Sequence, residues 1–321
     1  MPEPGESRIN AAMRKLQGLF IWTKGKPGLA EPLTPDTPAK AHPLWREEVE
    51  AFGPWDDFSP GKSDMAGDWL RSGKYSRTET LVICGPCTSS LDVARHLLEQ
   101  KILPEWGAVA GISQSQGRGR LRRPWDSPPG NLYAAWAWPE MEPGWERIVS
   151  LMAGYVTAKV LEEMGIEIRI KWPNDLLWQG RKIGGILVEE KGGQTLVGVG
   201  LNLACAPKEK ALREPWGPPA ACLAQAGIKQ GPLGLLAHLV EYGIACYDSK
   251  VVSGTPKNFL LALEQKLAWV GRKVLVRDAP KEYEARVLGL SKDGGLMLQR
   301  LGGREVLYSG GVSLLPDVET S

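Results

Sequence analysis

Residues 170–190 read IKWPNDLLWQGRKIGGILVEE. A cationic Lys171 runs into a proline turn bearing Asn174 and Asp175, and an apolar strand follows from Leu176 to Trp178. Gln179 and Gly180 then make a tight turn. The next strand opens with Arg181 and Lys182 and passes through Gly184 and Gly185, where a backbone or a ligand can approach closely. Taken alone, an Arg and Lys pair at a strand end is most often simply solvated.

Upstream, SQSQGRGRLRRPWDSPPGNLY (113–133) crowds Arg118, Arg120, Arg122 and Arg123 into one loop whose backbone is freed by Gly117 and Gly119. An Arg/Gly loop of this kind is by itself a solvated turn or an RNA-contacting segment. Further upstream, TLVICGPCTSS (80–90) sets an apolar strand before Cys84-Gly-Pro-Cys87, with a helical pattern following in LDVARHLLEQ. That is the layout of a thiol-disulfide oxidoreductase site. Its surroundings speak against it: Ile83 stands where that motif carries tryptophan, and a Pro/Trp-rich segment precedes it in place of a strand and helix. Cys205, Cys222 and Cys246 form no second close pair that would complete a zinc site.

At 321 residues, 43% hydrophobic and 24% charged, the chain has room for two or three units with a sizeable core, and disorder throughout is not expected. A formal charge of +2 gives no general pull toward nucleic acid or membranes. The start, MPEPGESRINAAM, is not a secretory signal, and no apolar run approaches the ~18 residues of a membrane helix. The expected location is the cytoplasm. Five scattered cysteines do not make a secreted disulfide framework.

Along the chain, ESRINAAMRKLQGLF places Ile9, Met13, Leu16 and Phe20 at helical spacing, and FIWTKGKPGL reads as a small basic hairpin. Lys24 to Gly61, rich in Pro and Trp, reads as a linker or irregular cap interrupted by a short helix in PLWREEVEAF. Strands and helices alternate from Thr80 to Gln265. Beyond Trp269 the pattern changes to short strands in KVLVRD, EYEARVLGL, GLMLQRL and REVLYSG, the spacing of a small β-barrel.

Taken together, GRGR with Trp125 (117–125), KWPND (171–175), GRKIGGILVE (180–189), GVGLNL (198–203) and YSGGVSLLP (308–316) resemble the biotin protein ligases over roughly residues 78–318. The Gly-rich signature and following histidine of the related lipoate ligases are absent. The resemblance implies an α+β fold: a mixed β-sheet catalytic domain flanked by helices over 76–268 and a small SH3-like β-barrel over 269–321. Residues 1–75 would form an N-terminal extension. It implies an ATP-dependent, AMP-forming ligase that makes biotinyl-5′-AMP and passes biotin to a lysine of biotin carboxyl carrier protein. Mg2+ would accompany biotin and ATP, and a homodimer is compatible with it. No enzyme nucleophile is required, in keeping with three histidines (His42, His96, His238) that all lie outside these motifs.

By the same resemblance Lys182 meets the biotin carboxylate and the α-phosphate, with Arg118 and Arg120 as the other catalytic cations and Arg120 holding the acyl-phosphate. Thr88, Ser89, Ser90 and Gln114 would bond the ureido head, Gly117 and Gly185 would admit the ligand, and Trp125 would wall the biotin chain. Arg118, Gly119, Arg120, Asn174, Asn202 and Trp216 would line the nucleotide, and Asn174 and Asp175 would orient Lys182 or ligate Mg2+, with stabilisation of their own turn as the alternative. The chain departs from the family at Ser90, where asparagine is usual, at Arg122, which replaces a glycine, and at Pro124, which replaces a residue that is commonly basic; the proline fixes φ and removes an N–H. SRINAAMRKLQGLFIWTKGKPGLAEPL faintly resembles only the recognition helix and wing of the winged-helix domain that some members carry, so DNA binding is not expected. The readings from other classes are a non-catalytic biotin-responsive regulator and a thiol-disulfide oxidoreductase acting through CGPC.

Overall fold

The computed structural model describes residues 17–59, 68–207, 217–278 and 280–315. The strands in chain order are β1 (Gly18–Trp22), β2 (Trp55–Phe58), β3 (Trp69–Ser72), β4 (Thr80–Cys84), β5 (Ala108–Gly111), β6 (Leu132–Trp138), β7 (Ile168–Lys171), β8 (Asp175–Trp178), β9 (Arg181–Lys191), β10 (Gln194–Leu201), β11 (Lys273–Asp278), β12 (Lys281–Leu290), β13 (Leu296–Arg300), β14 (Gly303–Leu307) and β15 (Gly311–Leu314). The α-helices are α1 (Asp36–Ala41), α2 (Pro43–Phe52), α3 (Ser90–Glu99), α4 (Val149–Glu163), α5 (Pro232–Cys246) and α6 (Pro256–Glu264). Among the described residues no helix is long and apolar enough to cross a membrane.

The contacts divide the chain into two compact units, one comprising the chain up to Glu140 with Val188–Leu203 and Lys229–Glu241, the other Met141–Leu187, Ala204–Ile228 and Tyr242 onward. The first unit is built on a mixed sheet in the order β2-β3-β1-β4-β5-β6-β10. β1, β4 and β5 are parallel and the remaining pairs antiparallel. All five residues of β4 are buried, because parallel strands flank it on both edges and its faces are covered. An unbroken apolar run such as TLVIC is what that position requires. Helix α3 follows directly, with Ser89 as its N-cap: the hydroxyl accepts from Leu91 N–H at 3.3 Å.

The N-terminal segment is more ordered than its composition suggests. The expected helix ending at Phe20 gives way to β1, whose residues are all buried, and Ile9, Met13 and Leu16 lie outside the described residues. Phe20 pairs with Val82 on one side and Arg71 on the other. Residues 20–22 of the expected hairpin belong to β1, which finds its partners far along the chain, and a tight turn closed by an antiparallel bridge between Lys26 and Ala30 follows. The expected linker is also packed: Leu33, Trp45 and Val49 are buried, and β2 adds a strand. The short helix expected in PLWREEVEAF is α2.

In the second unit β7, β8 and β9 form an antiparallel ladder, with β8 and β9 joined by a turn at Gln179-Gly180 in which both residues have positive φ (48° and 75°). That left-handed turn matches the strand twist of a two-residue hairpin. The C-terminal strands form a five-stranded antiparallel sheet in the order β14-β13-β12-β11-β15, a small β domain where the sequence pattern placed one. Trp172, in the turn after β7, donates its indole N–H to Gly294 O in the β12–β13 connection at 3.0 Å, anchoring that turn.

One carboxylate ties α2 to α5. Glu48 accepts from Leu233 N–H and Gly234 N–H at 2.7 Å each, filling orphan donors at the helix start. Burial raises its pKa to about 7 in spite of those two bonds. Since the folded value lies above the unfolded one, the stability it contributes is complete below about pH 4.5 and is lost as pH rises through 7. Urea unfolding at a series of pH values is expected to show stability declining between about pH 5 and about pH 8, with Glu48→Gln flattening that slope. An identical slope in the variant would exclude Glu48 as its origin.

Candidate functional site

In the second unit the ladder β7-β8-β9 builds a cluster of two cations around one anion. Asp175, first residue of β8, receives Lys182 Nζ at 2.6 Å on one carboxylate oxygen and Lys171 Nζ at 2.9 Å on the other. Cross-strand register makes this possible, since Lys171 lies opposite Asp175 and Lys182 opposite Leu177. Burial alone would raise the carboxyl pKa of Asp175; the charges of Lys182 and Lys171 and their hydrogen bonds outweigh it and bring it down to about 2. The Lys171 ammonium also lies 5.6 Å from the Trp269 ring centroid. The backbone of Lys182 is fixed as well: its N–H donates to Pro219 O at 2.7 Å, and its C=O accepts from Ala221 N–H at 2.8 Å.

The turn before β8 is held by side-chain bonds. Asn174 donates its amide to Ile186 O at 2.7 Å and Pro173 O accepts from the Ser150 hydroxyl at 3.3 Å. Asn174, expected at the nucleotide, thus spends its amide on the turn. Both oxygens of Asp175 are bonded by lysines, which matches its expected role of orienting Lys182, and no cluster of three or more His, Cys, Asp or Glu suited to a metal ion occurs among the described residues.

In the first unit the turn after β4 presents Thr88, Ser89 and Ser90. Ser90 donates both its N–H (2.8 Å) and its hydroxyl (3.1 Å) to Gln114 Oε1. Gln114 Nε2 donates to Ser127 Oγ at 2.9 Å, and that hydroxyl donates to Trp125 O at 3.0 Å. Gly117 is enclosed by the same residues: a Cβ there would lie 2.5 Å from Ser127 Oγ and 2.6 Å from Trp125 O. Its glycine is demanded by the loop itself. The side of Thr88 away from α3 is closed by the N-terminal segment, where Thr88 N–H donates to Leu29 O at 2.8 Å. Ser89 and Ser90 are buried, as is Asn202 at the end of β10.

Arg118 is held by carboxylates. Its guanidinium donates from Nη2 (2.7 Å) and Nη1 (3.1 Å) to the two oxygens of Asp92, and from Nε to Glu189 at 3.0 Å; Arg95 adds a 2.7 Å bond to Glu189. The Asp92 bonds, with help from Glu189, raise the Arg118 pKa further above its ordinary range, while the bonds from Arg118 and Arg95 bring Glu189 down against its burial. Arg118, expected to be catalytic, is therefore placed as a strut between the loop, α3 and β9. Arg120 begins a single 3-10 turn in which Leu121 and Arg122 both have positive φ (56° and 55°), and Leu121 is 80% exposed. Trp216 lies outside the described residues. The expected list omitted Asp92, Glu189, Lys171, Ser127 and Leu29; spacing identifies none of them, since each looks like an ordinary turn or surface residue until the sheet is assembled.

Cys84 and Cys87 are buried free thiols. The Cys87 hydrogen bond and burial push the Cys84 thiol well above its usual range. A Cβ on Gly111 would lie 2.9 Å from Cys87 Sγ, so the pair packs tightly against β5. Thiolate chemistry needs the opposite environment.

The model of the biotin/lipoate A/B protein ligase family matches residues 84–204. The bifunctional ligase/repressor BirA of Escherichia coli K12 is 34% identical over 210 residues, 63% of this chain and 64% of that protein. The chain thus spans slightly less than two thirds of that relative. The biotin--[acetyl-CoA-carboxylase] ligase of Paracoccus denitrificans is 30% identical over 214 residues, 62% of this chain and 86% of that protein. The biotin protein ligase from Aquifex aeolicus, solved in complex with biotin and ATP, superposes with a TM-score of 0.61 at 24% identity, over 73% of this chain and 98% of that one, and shares the fold.

Two outcomes are expected from this geometry. Removing Asp175 as Asp175→Ala leaves two part-buried cations near each other and should cost on the order of 1–3 kcal/mol in urea unfolding, with Lys182→Met restoring part of it; a loss near zero would mean the lysines are solvated. Cys84 and Cys87 should resist iodoacetamide in the folded protein and react after denaturation, and rapid native labelling would contradict their burial.

Proposed function

This chain belongs to the biotin/lipoate A/B protein ligase family, and from that premise we propose that it is an ATP-dependent biotin protein ligase acting on a biotin carboxyl carrier protein. A carboxylate oxygen of biotin attacks the α-phosphorus of ATP, the bond to the pyrophosphate oxygen breaks, and biotinyl-5′-adenylate forms. A carrier lysine amine then attacks the acyl carbon, AMP leaves, and the amine proton passes to solvent. Residues 76–268 are read as the catalytic region, completed by the strands of the N-terminal segment, and 269–321 as its C-terminal domain.

The observation that carries the reading is Lys182. The first step brings two anions together and builds charge on phosphate oxygens, which requires a cation fixed in place beforehand. Lys182 is fixed at its backbone by residues 219–221 and at its ammonium by Asp175. Asp175 keeps the lysine aligned, and Lys171 prevents the carboxylate from cancelling the Lys182 charge outright. Arg120 supplies charge from the loop to the acyl-phosphate, and the hydroxyl turn at Thr88, Ser89 and Ser90 with Gln114 takes the ureido head. Mg2+ enters as part of the ATP substrate, and no step is drawn through a protein-bound metal. Burial of both thiols, with that of Cys84 pushed well above its usual range, disfavours the oxidoreductase alternative.

The test is incubation with labelled biotin, MgATP and a carrier domain, expected to give covalent label on one carrier lysine; absence of label with a folded protein would overturn the proposal. Lys182→Ala should slow labelling by roughly 10²–10³, as removal of a fixed electrostatic donor does elsewhere. Arg120→Gly should still make adenylate but release it roughly tenfold to a hundredfold faster, the value of one charge-assisted hydrogen bond. Released adenylate would biotinylate a bystander such as serum albumin. Wild-type retention in Arg120→Gly would assign that grip to another residue.

A further inference from the structure

A hydroxyl in a binding site can donate or accept, and what it recognises depends on where its proton is already committed. Thr88 Oγ1 has two protein partners, the Asp92 carboxylate at 3.2 Å and Leu29 O at 3.4 Å. Leu29 O is a carbonyl, and Asp92 is bound through both oxygens to the Arg118 guanidinium, so neither has a proton to give. The single hydroxyl proton of Thr88 must point at one of them. Its lone pairs are left for a ligand. Ser90 is wired the same way, because its hydroxyl donates to Gln114 Oε1, whose amide nitrogen is committed to Ser127.

We infer that Asp92 is a specificity-determining positioning residue: by taking the Thr88 proton it makes that hydroxyl an obligate acceptor, so the turn selects a ligand edge bearing N–H donors. The inference rests on the biotin ligase reading and deepens it, since a cyclic urea offers two N–H groups flanking one C=O. Arg118 is the second half of the device. Its fork takes both Asp92 oxygens, Nη1 sharing Oδ2 with the Thr88 hydroxyl, and Glu189, itself bonded by Arg95, holds Arg118 in turn. Asp92 does not touch the ligand; it acts through Thr88.

An Asp92→Asn change makes the expected outcome specific. The amide introduced there would keep its single carbonyl oxygen toward the Arg118 donors and turn its N–H toward Thr88 Oγ1. That occupies one Thr88 lone pair and releases the hydroxyl proton from position 92, leaving it to be shared between the long Leu29 O contact and the ligand, so the hydroxyl is no longer held as an acceptor. In Asp92→Ala the hydroxyl loses its charged partner and keeps only the 3.4 Å contact to Leu29 O, at the limit of a hydrogen bond, to hold its proton. Asp92→Glu retains a carboxylate that can reach both groups.

The test compares the affinity of the full-length protein, by calorimetry, for biotin and for its two cyclic carbamate analogues, in each of which one ureido N–H is replaced by a ring oxygen. The wild type is expected to bind at least one analogue roughly tenfold to a hundredfold more weakly than biotin, since an acceptor would then face an acceptor. For that analogue the penalty should shrink to about threefold or less in Asp92→Ala and Asp92→Asn, and persist in Asp92→Glu. The penalty for the other analogue, facing Ser90, should stay as in the wild type. A merely structural role would weaken biotin and both analogues together and leave their ratios unchanged; that result, or wild-type ratios in both Asp92→Ala and Asp92→Asn, overturns the inference while leaving the ligase reading intact. Failure of the wild type to bind biotin at all would overturn both.

Discussion

The carboxylate of Asp175, buried between Lys171 and Lys182, is the interaction on which the arrangement of the second unit depends. A lone lysine among apolar strands would surrender its proton or turn to solvent, and a lone carboxylate there would take one up. Three groups with a net positive charge settle the matter: the carboxylate stays ionised, both ammonium groups are held, and one unit of positive charge remains for an anionic ligand. The proline turn, the Asn174 bond to Ile186 and the Trp172 bond to Gly294 all fix the backbone that places these side chains. The rigidity sits in strands, where a fixed charge is held most accurately.

The first unit solves a different problem with neutral groups. Serine and threonine hydroxyls are ambiguous recognition elements until something fixes their protons. Gln114 does so for Ser90 and Asp92 for Thr88, and the arginine loop is secured through the same carboxylate. This explains why a residue named for its place in a phosphate-binding motif, Arg118, is found bonded to two acidic side chains.

Much of this was legible in the sequence where structure is local. The strand, turn and strand over 175–191 follow from apolar alternation around Gln179-Gly180, and the C-terminal strands from Gly and Asp turns at short spacing. The α+β class followed from the resemblance carried by KWPND and GRKIGGILVE. What the sequence hid was non-local. GLFIW reads as the end of a helix because its partners, Thr80–Ile83 and Trp69–Arg71, lie far along the chain and no periodicity announces them. Asp92 and Glu189 look like solvated charges on a helix and a strand, and only assembly of the sheet reveals that they face Arg118. Asp175 bonds Lys182, as one of its two expected roles requires, and a second lysine, Lys171, takes its other oxygen.

The central claim is that this chain activates a carboxylate by adenylation at a fixed lysine. Exchange of labelled pyrophosphate into ATP measures that step alone, before any carrier is present. The account predicts exchange that requires biotin, proceeds without carrier protein and falls steeply in Lys182→Ala. Exchange that is absent, that runs equally well without biotin, or that is undiminished in Lys182→Ala would contradict it.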